Sequence, residues 1–573
     1  MSAQPENLIA GPPPEEPAAP ARTRPGQRRP DLWTVVTLTV AAILALPVLV
    51  VFAHVFIPAT EVWLHLRETV LADYVINSLI LMLGVGVGVL LLGVPAAWLV
   101  SLCDFPGRRV FEWALLLPLA VPAYIIAYTY TGLLDFAGPV QTQIRAWTGW
   151  GWGDYWFPQI RSLPGAVVML SLVLYPYVYL LSRAAFLEQS VCVLEVSRTL
   201  GVGPWGGFRR VALPLARPAV ITGLSLALME TLADYGTVEY FGIPTFTTGI
   251  FRTWFGLGDP AAAAQLAGLM MTFVLVLIVL ERYSRRRARF HHTSGRYSRL
   301  PRYRLSGWHR AGAVLVCVLP IALGFVIPAL QLGQWALDTT DVWMRPEFLR
   351  LVWNSISLAG IAAVLAVVLA LVMAYGKRLR PSLAVNAAVR VAGMGYAIPG
   401  TVIAVGVILP FAWIDNTVDG FMREHFNVST GLILSGSLVA VIFAYCVRFL
   451  AVSLQTVEAA LTKIKPSMDD AARSLGMGPV MVLRRVHMPI MRGSLLTALL
   501  LVFVDVLKEL PATLILRPFN FNTLAVRAFE LASDERLADS ASAALAIVLA
   551  GIIPVILLSR TISRSRPGHD TPA

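Results

Sequence analysis

Twelve long apolar runs, separated by short polar or charged stretches, set the plan of this 573-residue chain. A helix needs about 20 mostly apolar residues to cross a bilayer. Runs of that length fall at roughly 33–57, 75–101, 111–134, 163–187, 214–235 and 263–283, and again at 309–335, 352–376, 389–413, 430–455, 494–516 and 541–562. The fifth and eleventh are short and end in charged stretches. The pattern predicts an all-α membrane protein of about 12 transmembrane helices. Composition agrees, with 57% hydrophobic and 14% charged residues against about 25% charged in soluble chains.

Charge adds direction. The net charge is +12, and the bases lie between apolar runs, which points to topology rather than nucleic acid. With the N-terminus in the cytoplasm, 35 of the 46 Lys and Arg fall on cytoplasmic segments and adjoining helix ends, a group in which Arg448 is counted. Both termini are then cytoplasmic. Residues 1–30, rich in Pro, Ala and Arg, read as a disordered tail, and the first run as a retained span rather than a cleaved leader. The four cysteines, Cys103, Cys192, Cys317 and Cys446, have no metal or redox spacing and read as free thiols. His291 and His292 sit in a basic linker and read as solvated.

The chain says one thing twice. Residues 195–217 return as 470–492: Gly201, Pro204, Arg210, Pro214 and Arg217 answer Gly476, Pro479, Arg485, Pro489 and Arg492, each 275 positions on. Asn77-Ser78 answers Asn354-Ser355, and Pro122 answers Pro399, at 277. Thr248 with Thr523 and Arg252 with Arg527 continue the match at 275. Six spans per half keep the two halves parallel, related by an axis along the membrane normal. The organisation expected is a tail (1–30), a first membrane half (31–283), a basic cytoplasmic linker (284–308), a second half (309–562) and a C-terminal tail (563–573).

Both repeated loops fall on the cytoplasmic side. Gly201 and Gly476 suit the left-handed position that ends a short helix. Pro204 and Pro479 suit the first position of a new helix, which Pro214 and Pro489 are expected to break. Arg209, Arg210, Arg484 and Arg485 beside apolar neighbours give that second helix an amphipathic face able to dock into a partner's groove. Two such helices at matching places suggest a two-fold partner.

Charged residues also stand near the membrane. Glu230, Asp234 and Glu239, with Tyr235 nearby, fall at or beyond the end of the fifth run; Asp505, Lys508 and Glu509 fall within or near the eleventh. Burying such groups costs several kcal/mol unless they are paired or wet. They line a translocation pathway, where carboxylates with Tyr235 and Tyr240 nearby would suit a hard cation such as Fe(III), or they pair between helices, Lys508 with Asp505 having the facing spacing. Trp147, Trp150, Trp152 and Trp156 fall in a periplasmic loop, as interface anchors or as a partner's contact.

The repeated loop resembles the EAA loop of ABC importer permeases: Glu195-Val196-Ser197 with Gly201, and Asp470-Ala471-Ala472 with Gly476. The first triplet departs from Glu-Ala-Ala at its second and third positions, the second at its acid. A single chain with two such loops resembles the fused ferric-iron permeases, most specifically in 230–267 and 505–537. The resemblance implies the type I importer fold in a bacterial inner membrane. It implies coupling to a cytoplasmic ATPase dimer through Glu195, Gly201, Pro204, Arg210, Pro214, Asp470, Gly476, Pro479, Arg485 and Pro489, and delivery of cargo by a periplasmic binding protein. The chain has no G-x-x-x-x-G-K-[ST] phosphate loop, so ATP and Mg²⁺ are expected on the partner, with no cofactor, resident metal or enzymatic activity in this chain. The competing expectations are a permease of the same build for thiamine, a phosphonate, a polyamine or an inorganic anion, and a secondary transporter without an ATPase.

Overall fold

The computed structural model describes residues 31–58, 61–151, 153–188, 204–286 and 302–564. The tail 1–30, Trp152, Cys192, His291 and His292, most of the linker, and Glu195 and Gly201 of the first repeated loop lie outside these residues.

Among the described residues, eleven helices are long and apolar enough to span a bilayer. The first half supplies Leu32–His54, Leu71–Leu102, Leu163–Leu187, Trp205–Ala233 and Pro260–Tyr283. The second supplies Gly307–Asp338, Pro346–Leu379, Gly400–Phe426, Leu438–Thr462, Pro479–Leu507 and Leu537–Pro554. The third run, expected as one span, is instead a broken pair, Arg108–Ala120 and Ala123–Thr148, bent by 90°. Its break lies at Val121-Pro122. Proline lacks an amide N–H and biases the residue before it away from helical angles, and Val121 is extended at φ −103°, ψ 119°. The second half repeats the device: Ile398 is extended, and Pro399 precedes the helix Gly400–Phe426.

The fifth and eleventh spans begin well before the runs expected at 214 and 494, because Pro214 and Pro489 do not break them. Each follows a wide π-turn, Phe208–Ala212 or Leu483–His487. The Leu213 and Met488 amides there donate to carbonyls five residues back, Phe208 and Leu483. That opens the turn just where the proline ring would meet a carbonyl four residues behind it.

Repeat residues do matching work. Asn77 Nδ2 donates to the Pro244 carbonyl at 3.0 Å, and Asn354 Nδ2 to that of Asn522 at 3.2 Å. Ser78 and Ser355 hydroxyls accept from the amides of Phe246 and Leu524, each the first residue of a short helix. The structural counterpart of the cap Thr523 is therefore Thr245, not Thr248: Thr245 caps Phe246–Phe251, with Thr248 closing the box from inside. The second half has gained three residues before this cap: Thr523 follows Glu509 by 14 positions, where Thr245 follows Asp234 by 11.

The halves interlock. One buried core joins the middle helices of the first half to Ala313–Phe348 and Leu510–Val548 of the second. The other joins the middle helices of the second half to Ala41–Tyr74 and Phe246–Val274 of the first. The first and last spans of each half thus pack on the other. Where the linker re-enters, Tyr303-Arg304 pairs as a parallel strand with Cys103-Asp104, and the Tyr303 ring lies 6.1 Å from that of Trp98.

Candidate functional site

Between the two cores lies a cavity of about 120 Å³ lined by Glu230, Asp234, Tyr235, Arg448, Asp505, Lys508 and Glu509, with Tyr124, Tyr177 and Tyr396. It forms where four membrane helices break or end: at Pro122 and Pro399, after Ala233, and after Leu507. Irregular backbone at membrane depth is tolerated where it lines a polar cavity.

Two carboxylates perform the same structural task. Asp234 accepts from the Thr237 and Val238 amides, both at 3.1 Å, and from the Thr237 hydroxyl at 3.0 Å. Glu509 accepts from the Ala512 amide at 2.9 Å, the Thr513 amide at 3.1 Å and the Thr513 hydroxyl at 2.7 Å. Each caps a short helix, Gly236–Tyr240 or Pro511–Leu516. Glu230 and Asp505 stand one turn earlier, also 275 positions apart, so the four acids form a two-fold ring. The cations break that symmetry. Arg448 and Lys508 both come from the second half, and their counterparts at the same spacing, Val173 and Ala233, are apolar.

Arg448 lies near the middle of Leu438–Thr462 and is 7% exposed. It is therefore a buried residue inside a span, not one of the cytoplasmic bases among which its sequence position counted it. Its Nη1 lies 3.2 Å from Glu509 Oε1, and its Nη2 lies 3.8 Å from Glu230 Oε2 across the boundary between halves. Lys508 pairs with Asp505 at 2.9 Å, the i, i+3 partner that its spacing favoured. Tyr177 and Tyr396 hydroxyls meet at 3.2 Å, a second polar bridge between halves. The Tyr124 hydroxyl is buried without a hydrogen-bond partner. Of the sequence-chosen pathway residues, Glu239 is not in the cavity: its carboxylate lies 3.5 Å from Arg252. Sequence reasoning missed Arg448, Tyr177 and Tyr396. A charged residue within an apolar helical run was the available signal for the first; nothing in the pattern marked the tyrosines.

At the expected cytoplasmic face, the second repeated loop is fully described. The helix Pro466–Ser474 ends at Gly476, whose φ is +78°, and a new helix starts at Pro479. Asp470, Arg484, Arg485 and Pro489 are exposed, with Leu475, Val480 and Met481 forming an apolar patch beside them. The buried acid is Asp469 rather than Asp470. It accepts from Arg378 Nε at 2.8 Å and lies against His487 Nε2, while Tyr375 donates to the Pro479 carbonyl at 2.9 Å. In the first copy a helix begins at Pro204, and Arg210 and Pro214 are exposed.

A family model described as binding-protein-dependent transport system inner membrane component matches residues 26–290. A ferric-iron transport permease protein, FbpB 2 of Haemophilus influenzae, is 26% identical over 93% of this chain and 99% of its own length. The molybdenum transport permease ModB of Escherichia coli is 30% identical over 34% of this chain, which covers 87% of that relative. The chain belongs to the binding-protein-dependent transport system inner membrane components. It is a multi-pass inner-membrane permease subunit of an ABC importer. A probable sulfate transport permease of Chlorokybus atmophyticus matches this permease at 27% identity over 26% of the chain and 48% of that relative, so relatives named for cations and for oxyanions both match it.

Proposed function

We propose that the permease passes ferric iron inward, received from a periplasmic binding protein and driven by a separate cytoplasmic ATPase dimer that holds the ATP and Mg²⁺. The observation that carries the cargo assignment is the cavity: among the described residues, four carboxylates and four tyrosines line it with two cations, Arg448 and Lys508. Fe(III) is a hard ion that favours oxygen ligands, and an excess of carboxylates repels an oxyanion. A relative that spans both halves is named for ferric iron. The ring needs no tight affinity, because cargo must leave as readily as it enters.

The Lys and Arg bias supports a cytoplasmic position for both repeated loops and both termini. There Glu195–Pro214 and Asp470–Pro489 offer two handles to the dimer. Exposed Leu475 and Val480 beside Arg484 and Arg485 suit a groove with an apolar floor and an acidic rim. Closure of the dimer on ATP pulls the handles together and rocks the interlocked bundles, opening the cavity outward. A second reading, an oxyanion resting on Arg448 and Lys508, draws on the similarity of a third of the chain to the molybdenum permease. Proteoliposomes holding the permease, its ATPase and its binding protein decide between them. ATP-dependent uptake of Fe(III), and not of molybdate or sulfate, is expected; molybdate uptake without iron uptake overturns the cargo assignment.

A further inference from the structure

Of the two cations in the ring, Lys508 is held by a carboxylate of its own half, Asp505, at 2.9 Å. Arg448 is shared: 3.2 Å to Glu509 in its own half and 3.8 Å to Glu230 in the other. A guanidinium offers five donors, yet its Nε, though buried, has no hydrogen-bond partner, and the contact to Glu230 exceeds hydrogen-bond length. Unmet donors on a buried guanidinium are costly, and Arg448 carries one while lining the cavity.

Nor does the fold demand a cation at this place. Asp234 caps its helix as Glu509 does, with Val173 standing where the second half has Arg448. The second half has instead cleared room for the guanidinium. A Cβ at Gly400 would lie 2.5 Å from Arg448 Nη1 and 2.7 Å from Glu509 Oε1, while the counterpart of Gly400 is Ala123.

We propose that Arg448 is the resident counter-cation of the carboxylate ring and the residue that determines which cations the pathway admits. It fills the gap between Glu230 and Glu509 that cargo must occupy. When the halves part, the shorter contact keeps Arg448 with Glu509 and uncovers Glu230. The ring therefore gains a free carboxylate only in the open state, so affinity for a cation follows the conformational cycle. The inference rests on the reading that this cavity lies on the pathway.

The test uses the reconstituted permease with its ATPase and two readouts: ATP-independent Mn²⁺ influx, and ATP-driven Fe(III) uptake with the binding protein. R448Q leaves the ring with one cation, and Mn²⁺ influx should rise about tenfold or more, the scale on which single-sign clefts concentrate counter-ions. R448K keeps influx at the wild-type level, and R448Q/E509Q, which removes one acid with the base, returns most of it. An R448Q complex that co-elutes with its ATPase and shows wild-type Mn²⁺ influx overturns the proposal. Should R448Q fail to assemble, E230Q decides, because it leaves the Arg448–Glu509 pair intact. A fall of about tenfold in Fe(III) uptake is expected, the scale of focusing that one ring charge can alter; unchanged uptake overturns the proposal. Mn²⁺ influx is read without cargo, so a wild-type protein that carries molybdate instead of iron sinks the cargo reading and leaves the test of Arg448 standing.

Discussion

At the scale of single residues, Gly400 and Asp469 matter most. G400A places a methyl inside the Arg448–Glu509 pair; overpacking of this kind costs about 1–3 kcal/mol, and the expected result is a lower unfolding temperature with strongly reduced uptake. A123G at the matching place costs only about 0.5–1 kcal/mol through the helix and leaves uptake nearly intact; equal losses in both variants would refute the close-approach argument. Burial pushes the Asp469 carboxyl upward, but hydrogen bonds from Arg378 and His487 and their charges outweigh it and hold it below the usual carboxylate range. A depressed value means that this group stabilises its surroundings above the ordinary Asp value of about 4, and that the contribution is lost as pH falls through the lowered value. Amide exchange across 466–487 should therefore speed up below about pH 4 in the wild type, and D469N should show faster exchange already at neutral pH with a flatter acid limb. Charge and apolar pattern located the acids of the ring but not Arg448, because a base inside a run reads like a base at its end until the partner helices are known. Glu239 was misplaced for the converse reason: it lies on the short helix Gly236–Tyr240 that Asp234 caps, and there its carboxylate meets Arg252 instead of the cavity.

At the scale of elements, glycine and proline were legible where they act alone and illegible where a neighbouring turn accommodates them. Gly476 takes the left-handed angle its position implied, and a Cβ there meets nothing within 4 Å. The penalty of G476V is thus backbone strain of about 1–2 kcal/mol, without a clash. Uptake per ATP hydrolysed is expected to fall in G476V and to hold in G476N, since Asn tolerates this conformation; a drop of the same size in both variants would point to lost side-chain contact instead. Pro489 misled because the π-turn Leu483–His487 has no simple sequence signature. One residue of helix corresponds to about 100° of rotation, so the turn sets which face of Pro479–Val482 points outward. P489A frees the turn to rewind as ordinary α-helix, and cysteine labelling should then show Val480 and Met481 losing accessibility while the membrane part is unchanged.

At the scale of the whole molecule, span count and duplication were readable from period and spacing, whereas the exchange of first and last spans was not. An apolar face records that a helix is covered, not by which neighbour. Because each core draws helices from both halves, residues 1–286 and 302–573 expressed together as two chains should co-purify, and either alone should be degraded or aggregate; a stable, monodisperse single half would contradict the interlocked packing. The asymmetry of the ring has its own bearing on why the two halves share one gene. A homodimer of the first half would surround its axis with four acids and no base, and a homodimer of the second with four acids and four bases. Only a duplicated chain whose copies have drifted apart reaches the intermediate balance, with one guanidinium and one ammonium. Fusion here fixes the stoichiometry of charge: it guarantees that a copy with the bases always meets a copy without them, an outcome that free assembly of like subunits has no means to enforce.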